Sequence, residues 1–146
     1  MTFEQPILLV EDDTVDVMTV KRAMRALKIA TPLHVSGNGE IALEYLRDSH
    51  NPQPSMILLD INMPRMNGLE LLAELKKDEA LRLIPVVILT TSHEEQDRLR
   101  GFDLGVAGYM LKPVDYNQFI EIMRMIYDYW RTSLRASPPV DAPPTV

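Results

Sequence analysis

The sequence contains no cysteine, and this absence excludes several kinds of chemistry. Without cysteine there is no disulfide framework, no thiol nucleophile and no thiolate metal site. Positive charge is also scarce, because 15 Lys and Arg residues stand against 21 Asp and Glu residues and give a net charge of -6. Domains that bind nucleic acid normally carry a basic patch. The acidic balance therefore argues against nucleic acid as a partner.

Long apolar runs are missing as well. No run approaches the roughly 18 residues that a membrane-spanning helix requires. The opening MTFEQP lacks the basic and apolar regions of a secretory signal peptide. With 146 residues, 46% of them hydrophobic, the chain is long enough to bury a core in one domain. These features predict a soluble, cytoplasmic domain that has no membrane partner.

What the chain does have is an alternation of short apolar runs with helical patterns. The apolar runs at 7–10, 56–59 and 86–89 predict buried strands, 33–36 predicts a weak strand, and 106–111 predicts a short one. A helical pattern follows each run, and the last extends from Asp115 to about Leu134. Residues 135–146 contain four prolines and no periodicity. The pattern predicts an α/β domain over residues 1–134, with a parallel sheet between helices, and a disordered tail over 135–146.

Chemically capable side chains follow four of the predicted strands. Glu11 and Asp12 follow the first, Asp60 the third, Thr90 ends the fourth, and Lys112 follows the fifth. The carboxyl ends of parallel strands share one edge of the sheet, which is where ligands bind in such folds. Taken alone, Asp60 is as readily explained as a residue that caps the next turn. Together, the four strand ends indicate a site.

Converging carboxylates repel one another unless a cation joins them, and oxygen ligands without His or Cys favour Mg²⁺ over zinc. Lys112 offers a positive charge for a phosphoryl group, and Thr90 offers a hydroxyl donor. Such an ensemble suits phosphoryl transfer, in which positioning and charge neutralisation supply most of the catalysis. A carboxylate can itself act as the nucleophile and form an aspartyl phosphate.

The chain resembles the receiver domain of two-component response regulators, of the single-domain type, over roughly residues 6–134. Four motifs carry the resemblance: ILLVEDD at 7–13, ILLDINMPRMNGLELL at 57–72, LTT at 89–91 and GYMLKP at 108–113. The resemblance implies a flavodoxin-like, doubly wound five-stranded parallel sheet of order 2-1-3-4-5 with five helices. It also implies that the protein is a response regulator rather than a conventional enzyme, one that catalyses its own phosphorylation and slow dephosphorylation.

The resemblance also implies a role for each matching residue. Asp60 would be the phosphoacceptor that attacks a phosphohistidine of a histidine kinase, with Lys112 contacting the phosphoryl group. Mg²⁺ would be bound by Asp12, by Asp60, by the backbone carbonyl of Asn62 and, through water, by Glu11. Thr90 would be the switch hydroxyl, and Tyr109 the aromatic residue that moves with it. The Lys112–Pro113 peptide bond is predicted to be cis, because only X-Pro bonds adopt cis at low cost. Thr91 stands where the family usually has a small residue, so it could crowd the phosphoryl group.

The last helix suggests a homodimer, because its apolar residues cover more than the stripe that one core face requires. One predicted stripe faces the sheet and consists of Tyr116, Ile120, Met123, Tyr127 and Trp130. A second stripe without an obvious partner consists of Phe119, Ile122, Ile126 and Tyr129. The alternative is that both stripes pack on the fourth helix. This long helix, together with the pair Glu11-Asp12 after the first strand, also resembles single-domain regulators paired with phytochrome-type histidine kinases.

Three other interpretations compete with a phosphoacceptor. A flavodoxin-like electron carrier shares the strand and helix order, but the acids at 11–13 would repel the phosphate of FMN. A haloacid-dehalogenase-type phosphatase needs a second Asp two residues after its nucleophile, where this chain has Asn62. A phosphorylation-independent, receiver-like binding module stays open.

Overall fold

The computed structural model describes residues 5–132. Its five strands are β1 (Ile7–Val10), β2 (Leu33–Ser36), β3 (Met56–Leu59), β4 (Val86–Thr90) and β5 (Gly108–Leu111). Its five helices are α1 (Thr14–Ala26), α2 (Gly39–Arg47), α3 (Gly68–Lys77), α4 (Glu95–Asp103) and α5 (Tyr116–Thr132), with a short 3-10 turn at Leu81–Leu83. The predicted alternation of five strands and five helices is confirmed. The predicted tail, and the predicted last turn of α5 up to Leu134, lie outside the described residues.

All five strands are parallel, and their order in the sheet is β2-β1-β3-β4-β5. The predicted flavodoxin-like, doubly wound topology is therefore confirmed. β3 is the central strand, with β1 on one side and β4 on the other. Because every strand runs in the same direction, the loops after β1, β3, β4 and β5 meet at one edge of the sheet.

Alternate side chains of the strands enter two separate cores. One core lies between the sheet and α2, α3 and α4, and it includes Leu8, Ile57 and Ile88. The other lies between the sheet and α1 and α5, and it includes Leu9 and Leu58. Strands covered on both faces read as continuous apolar runs, which explains the sequences of β1, β3 and β4. This two-sided burial holds the ends of the central strands rigidly at the edge of the sheet.

Caps at the helix starts fix where the loops at this edge end. The side chain of Asp13 accepts hydrogen bonds from the backbone N–H groups of Val15 and Asp16, so Asp13 is the N-cap of α1. Asn67 and Glu70 form a capping box at the start of α3. Three residues separate β1 from α1, and eight separate β3 from α3.

The predicted division of α5 into two stripes was wrong in part. Phe119 and Ile126, assigned to the stripe without a partner, are buried in the core with Met123, and Ile122 of the same stripe packs against that core. α5 packs more extensively on α1 than on α4, so its packing on α1 sets the rotation of α5. The large apolar side chains that α5 exposes are Met125 and Tyr129, at 56% and 62% of their surface. Within residues 5–132, no helix is both long and apolar enough to cross a membrane.

Candidate functional site

Three carboxylates meet at the edge of the sheet. Oxygen atoms of Glu11, Asp12 and Asp60 all lie within 4.8 Å of one another. Backbone hydrogen bonds hold two of these residues just beyond the strands, from Glu11 N–H to the carbonyl of Ser36 (3.0 Å) and from Asp60 N–H to the carbonyl of Val10 (3.1 Å). Glu11 and Asp60 are buried, whereas Asp12 faces solvent. The cluster therefore has a buried interior and one exposed side.

Burial makes the ionised forms of these carboxylates energetically unfavourable. Desolvation raises the pKa of Glu11 to about 7, although the neighbouring Lys112 favours the ionised form, and the charge of Asp60 adds to the increase. Atom Oδ1 of Asp60 is buried and has no hydrogen-bond partner within the described residues. An unpartnered buried carboxylate oxygen is costly. An oxygen-only donor set with an unpartnered oxygen and an open side fits a hard divalent cation.

Lys112 is the cation that the structure places against these acids. Its Nζ lies 2.6 Å from Oε2 of Glu11, 2.8 Å from Oδ2 of Asp16 and 3.6 Å from Oδ2 of Asp60. Its side chain is only 10% exposed. Burial alone would lower the pKa of Lys112, but the hydrogen bonds to Asp16 and Glu11, together with the negative charges of Asp60 and Glu11, raise the pKa above its ordinary value. Lys112 is therefore a protonated ammonium next to Asp60.

The peptide bond after Lys112 corrects one prediction. No cis peptide bond occurs in the part of the chain that the structure describes, so the predicted cis Lys112–Pro113 bond was wrong. The ladder to β4 already directs the lysine, because the backbone N–H of Lys112 donates to the carbonyl of Thr90 at 2.8 Å. The side chain reaches the acids from this position.

Thr90 and Tyr109 meet through the loop that follows β4. Thr90 is fully buried, and its hydroxyl accepts a hydrogen bond from the N–H of Ser92 at 3.3 Å. The hydroxyl of Tyr109 donates a hydrogen bond to the backbone carbonyl of Ser92 at 3.1 Å. Ser92 in turn donates through its own hydroxyl to Asp97 on α4 at 2.7 Å. Ser92 therefore connects Thr90 to both Tyr109 and α4. Thr91, in contrast, is exposed.

The loop after β3 carries the remaining predicted site residue. Asn62 lies in this loop, two residues beyond Asp60, and is exposed. N–H groups of Met63 and Gly68 both donate to the carbonyl of Ile61 at 3.0 Å, which folds the loop tightly onto the start of α3. A Cβ atom on Gly68 would lie only 2.2 Å from the carbonyl oxygen of Asp60. Glycine is thus what allows α3 to begin directly against Asp60.

The structure brings together most of the predicted site and adds residues that the sequence analysis missed. Glu11, Asp12, Asp60 and Lys112 form one cluster, and Thr90 and Tyr109 join at Ser92. Asp16 was missed because its position in the first turn of α1, three residues after the N-cap, is typical of a capping residue. Gly68 was missed because the close approach of the Asp60 carbonyl to it exists only in the folded structure.

A comparison with protein families decides the identity of this fold and site. Residues 7–124 match the model of the response regulator receiver domain. The chain belongs to this family. As a receiver domain, it is neither a flavodoxin-like electron carrier nor a haloacid-dehalogenase-type phosphatase.

The receiver domain is similar to a probable methanogenesis regulatory protein and to a response regulator of a Synechocystis species. It is 36% identical over 127 residues to the probable methanogenesis regulatory protein FilR2 of Methanothrix harundinacea, covering 85% of this chain and 82% of FilR2. It is 35% identical over 128 residues to the response regulator Rcp1 of a Synechocystis species, covering 85% of this chain and 87% of Rcp1.

Solved structures agree with this assignment. The phosphorylated cyanobacterial phytochrome response regulator RcpA superimposes with a TM-score of 0.85 at 33% identity, covering 92% of this chain and all of RcpA. The Mn²⁺-bound form of Rcp1 superimposes with a TM-score of 0.83 at 33% identity, covering 91% of this chain and 99% of Rcp1. The chain is a response regulator receiver domain whose acidic cluster could hold a divalent cation.

Proposed function

We propose that this receiver domain is a Mg²⁺-dependent phosphoacceptor that takes a phosphoryl group from a phosphohistidine of a histidine kinase onto Asp60. One observation carries the proposal. Asp60 is buried at the end of the central strand, with one oxygen unpartnered, next to two other acids and a protonated lysine. A carboxylate held in this way is a poor structural element but a well-oriented nucleophile.

In the reaction, a carboxylate oxygen of Asp60 forms a bond to phosphorus as the bond between phosphorus and the imidazole nitrogen breaks. The electron pair of that bond stays on the imidazole. Lys112, whose ammonium lies 3.6 Å from Asp60, balances the negative charge that gathers on the phosphoryl oxygens. Glu11, Asp12, Asp60 and the carbonyl of Asn62 would hold Mg²⁺, with Glu11 acting through water. Bound Mg²⁺ supplies charge neutralisation for phosphate oxygens.

The same contacts support a switch. A phosphoryl group on Asp60 is a dianion with strong acceptor oxygens. The hydroxyl of Thr90 would leave the N–H of Ser92 and donate to that group, and the Tyr109 bond to the same loop would change with it. A pre-existing equilibrium between two arrangements of α4, β5 and α5 would then shift. Output would come through protein contacts.

The partner is proposed to be a histidine kinase of the phytochrome type. The support is the similarity to Rcp1 and RcpA, the second of which is described as a phytochrome response regulator. FilR2 shows that similar receivers also serve other regulatory systems. A homodimer through α5 is part of the same proposal, supported by exposed Met125 and Tyr129 on that helix.

Intact mass after incubation with acetyl phosphate tests the phosphoacceptor function. Wild type is expected to gain about 80 Da, the mass of one phosphoryl group, only when Mg²⁺ is present. Asp60→Asn is expected to gain nothing, and Glu40→Ala, an exposed acid away from the acid cluster, should behave as wild type. An unchanged wild-type mass, with the kinase as well as with acetyl phosphate, would instead support a phosphorylation-independent binding module.

A further inference from the structure

Asp16 is a fourth carboxylate at the site, and it contacts only the lysine among the groups already described. Its Oδ2 accepts a hydrogen bond from Nζ of Lys112 at 2.8 Å, across 96 residues of sequence. Oxygens of Glu11, Asp12 and Asp60 group within 4.8 Å of one another, and Asp16 is not a member of that group. The role of Asp16 therefore differs from that of a metal ligand.

A capping role does not account for this contact. In a capping box, the acid three residues after the N-cap would accept a hydrogen bond from the N–H of the N-cap residue. Here the N-cap is Asp13, and its N–H donates instead to Oε1 of Glu11 at 3.2 Å. The side chain of Asp16 is left to turn inward toward Lys112, and it remains 38% exposed on its outer side.

Two acids determine how the ammonium of Lys112 is oriented. A lysine ammonium has three N–H donors. Two of them go to Glu11 and Asp16, and the third is left for the side on which Asp60 lies, at 3.6 Å. That distance is too long for a good hydrogen bond, but a phosphoryl group on Asp60 would bring further acceptor oxygens to the lysine. The unphosphorylated site therefore keeps one donor ready.

We propose that Asp16 is a positioning residue that holds Lys112 toward Asp60 during phosphoryl transfer. The inference rests on the proposed function of Asp60. Glu11 belongs to the acid cluster that could hold a cation, so a bound cation would compete with Lys112 for Glu11. Asp16 stands outside that cluster and would continue to hold the lysine. It also ties the start of α1 to the end of β5.

Phosphorylation by acetyl phosphate provides the test. In that reaction a carboxylate oxygen of Asp60 bonds to phosphorus, the bond from phosphorus to the acetyl oxygen breaks, and acetate leaves with the electron pair. The initial rate at saturating Mg²⁺ should fall about fivefold in Asp16→Asn and further in Asp16→Ala, a loss expected for one charge-assisted bond to a partly exposed acid. Asp16→Glu keeps the charge and should recover part of the rate.

A second readout separates positioning from general damage. Hydrogen exchange of the Lys112 ammonium, followed by NMR on protein labelled with ¹⁵N-lysine, should become faster in Asp16→Asn and Asp16→Ala. The dissociation constant for Mg²⁺ should change by less than about threefold, because Asp16 lies outside the acid cluster. Glu40→Ala is the matched control, since Glu40 is also an acid in the first turn of a helix and pairs with exposed Arg65 at 3.0 Å.

The outcomes distinguish this inference from the proposed function. If wild type is phosphorylated and the Asp16 variants react at the wild-type rate with unchanged ammonium exchange, the inference is overturned and the phosphoacceptor role of Asp60 stands. If wild type takes no phosphoryl group from any donor, the proposed function is overturned and the inference falls with it. Slower phosphorylation together with faster ammonium exchange, both absent from Glu40→Ala, supports the inference.

Discussion

Replacing Gly68 with alanine should damage both stability and the site, because the new Cβ has no space. The added atom would lie 2.2 Å from the carbonyl oxygen of Asp60 and 2.9 Å from Cα of Ile61. Ordinary contacts between carbon and oxygen are about 3.3 Å, so α3 or the end of β3 must move by about 1 Å. Both obstacles are backbone atoms, which cannot rotate away as a flexible side chain would.

The expected cost follows from that overlap. Inserting an atom into a packed site costs about 1–3 kcal/mol, and rigid obstacles place Gly68→Ala near the upper end of that range. The better helix propensity of alanine returns at most about 1 kcal/mol. A net loss of about 2 kcal/mol should lower the melting temperature of a domain of this size by about 6–8 °C.

Thermal denaturation followed by circular dichroism measures this loss, and Gly37→Ala is the matched control. An added Cβ at Gly37 would meet nothing within 4 Å, so this variant should unfold within about 1–2 °C of wild type. Phosphorylation by acetyl phosphate should slow at least tenfold in Gly68→Ala alone, since a displacement of about 1 Å at reacting groups is costly. Equal melting temperatures for the two variants would refute the argument.

Three further predictions concern charge and assembly. In the presence of a chelator of divalent cations, Asp60→Asn should raise the free energy of unfolding by about 1 kcal/mol, because it removes a buried charge from a cluster of acids. Urea denaturation measures this difference, and a lower free energy of unfolding for the variant would contradict the prediction. Mg²⁺ should bind about tenfold more weakly at pH 6 than at pH 8, since Glu11, with a pKa of about 7, must lose its proton to assist binding. Titration calorimetry measures the dissociation constant for Mg²⁺, which should change little over that pH range in Glu11→Gln. A wild-type dissociation constant that does not depend on pH would refute the prediction. Light scattering should give twice the 16.7 kDa mass of one chain, and a monomer at every concentration would exclude the homodimer through α5.

Much of the fold could be predicted from the sequence because the central strands of a parallel sheet appear as short, continuous apolar runs. The run Met56-Ile57-Leu58-Leu59 is apolar on both faces, which is the pattern expected of a strand that is buried on both sides. Asp60 follows it immediately, so its place at the edge of the sheet needed no knowledge of distant contacts. The same reasoning placed Glu11 and Lys112 at that edge.

What could not be predicted depends on packing between distant parts of the chain. Asp16 and Lys112 are 96 residues apart, and only the folded structure shows that their side chains meet. The rotation of α5 is set by its packing on α1, so Phe119 and Ile126 lie in the core where their periodicity had indicated a free stripe. The close approach of the start of α3 to the end of β3, which makes Gly68 necessary, likewise exists only in the folded structure.

Locating the phosphoryl group tests the central claim most directly. The protein would be incubated with acetyl phosphate and Mg²⁺, reduced with borohydride, which converts an aspartyl phosphate to homoserine, and mapped by peptide mass spectrometry. We expect homoserine at position 60 alone, because Asp60 is the buried acid beside Lys112 with an unpartnered oxygen. Homoserine at position 12 or 16, with an unmodified residue 60, would contradict the assignment of Asp60 as the phosphoacceptor.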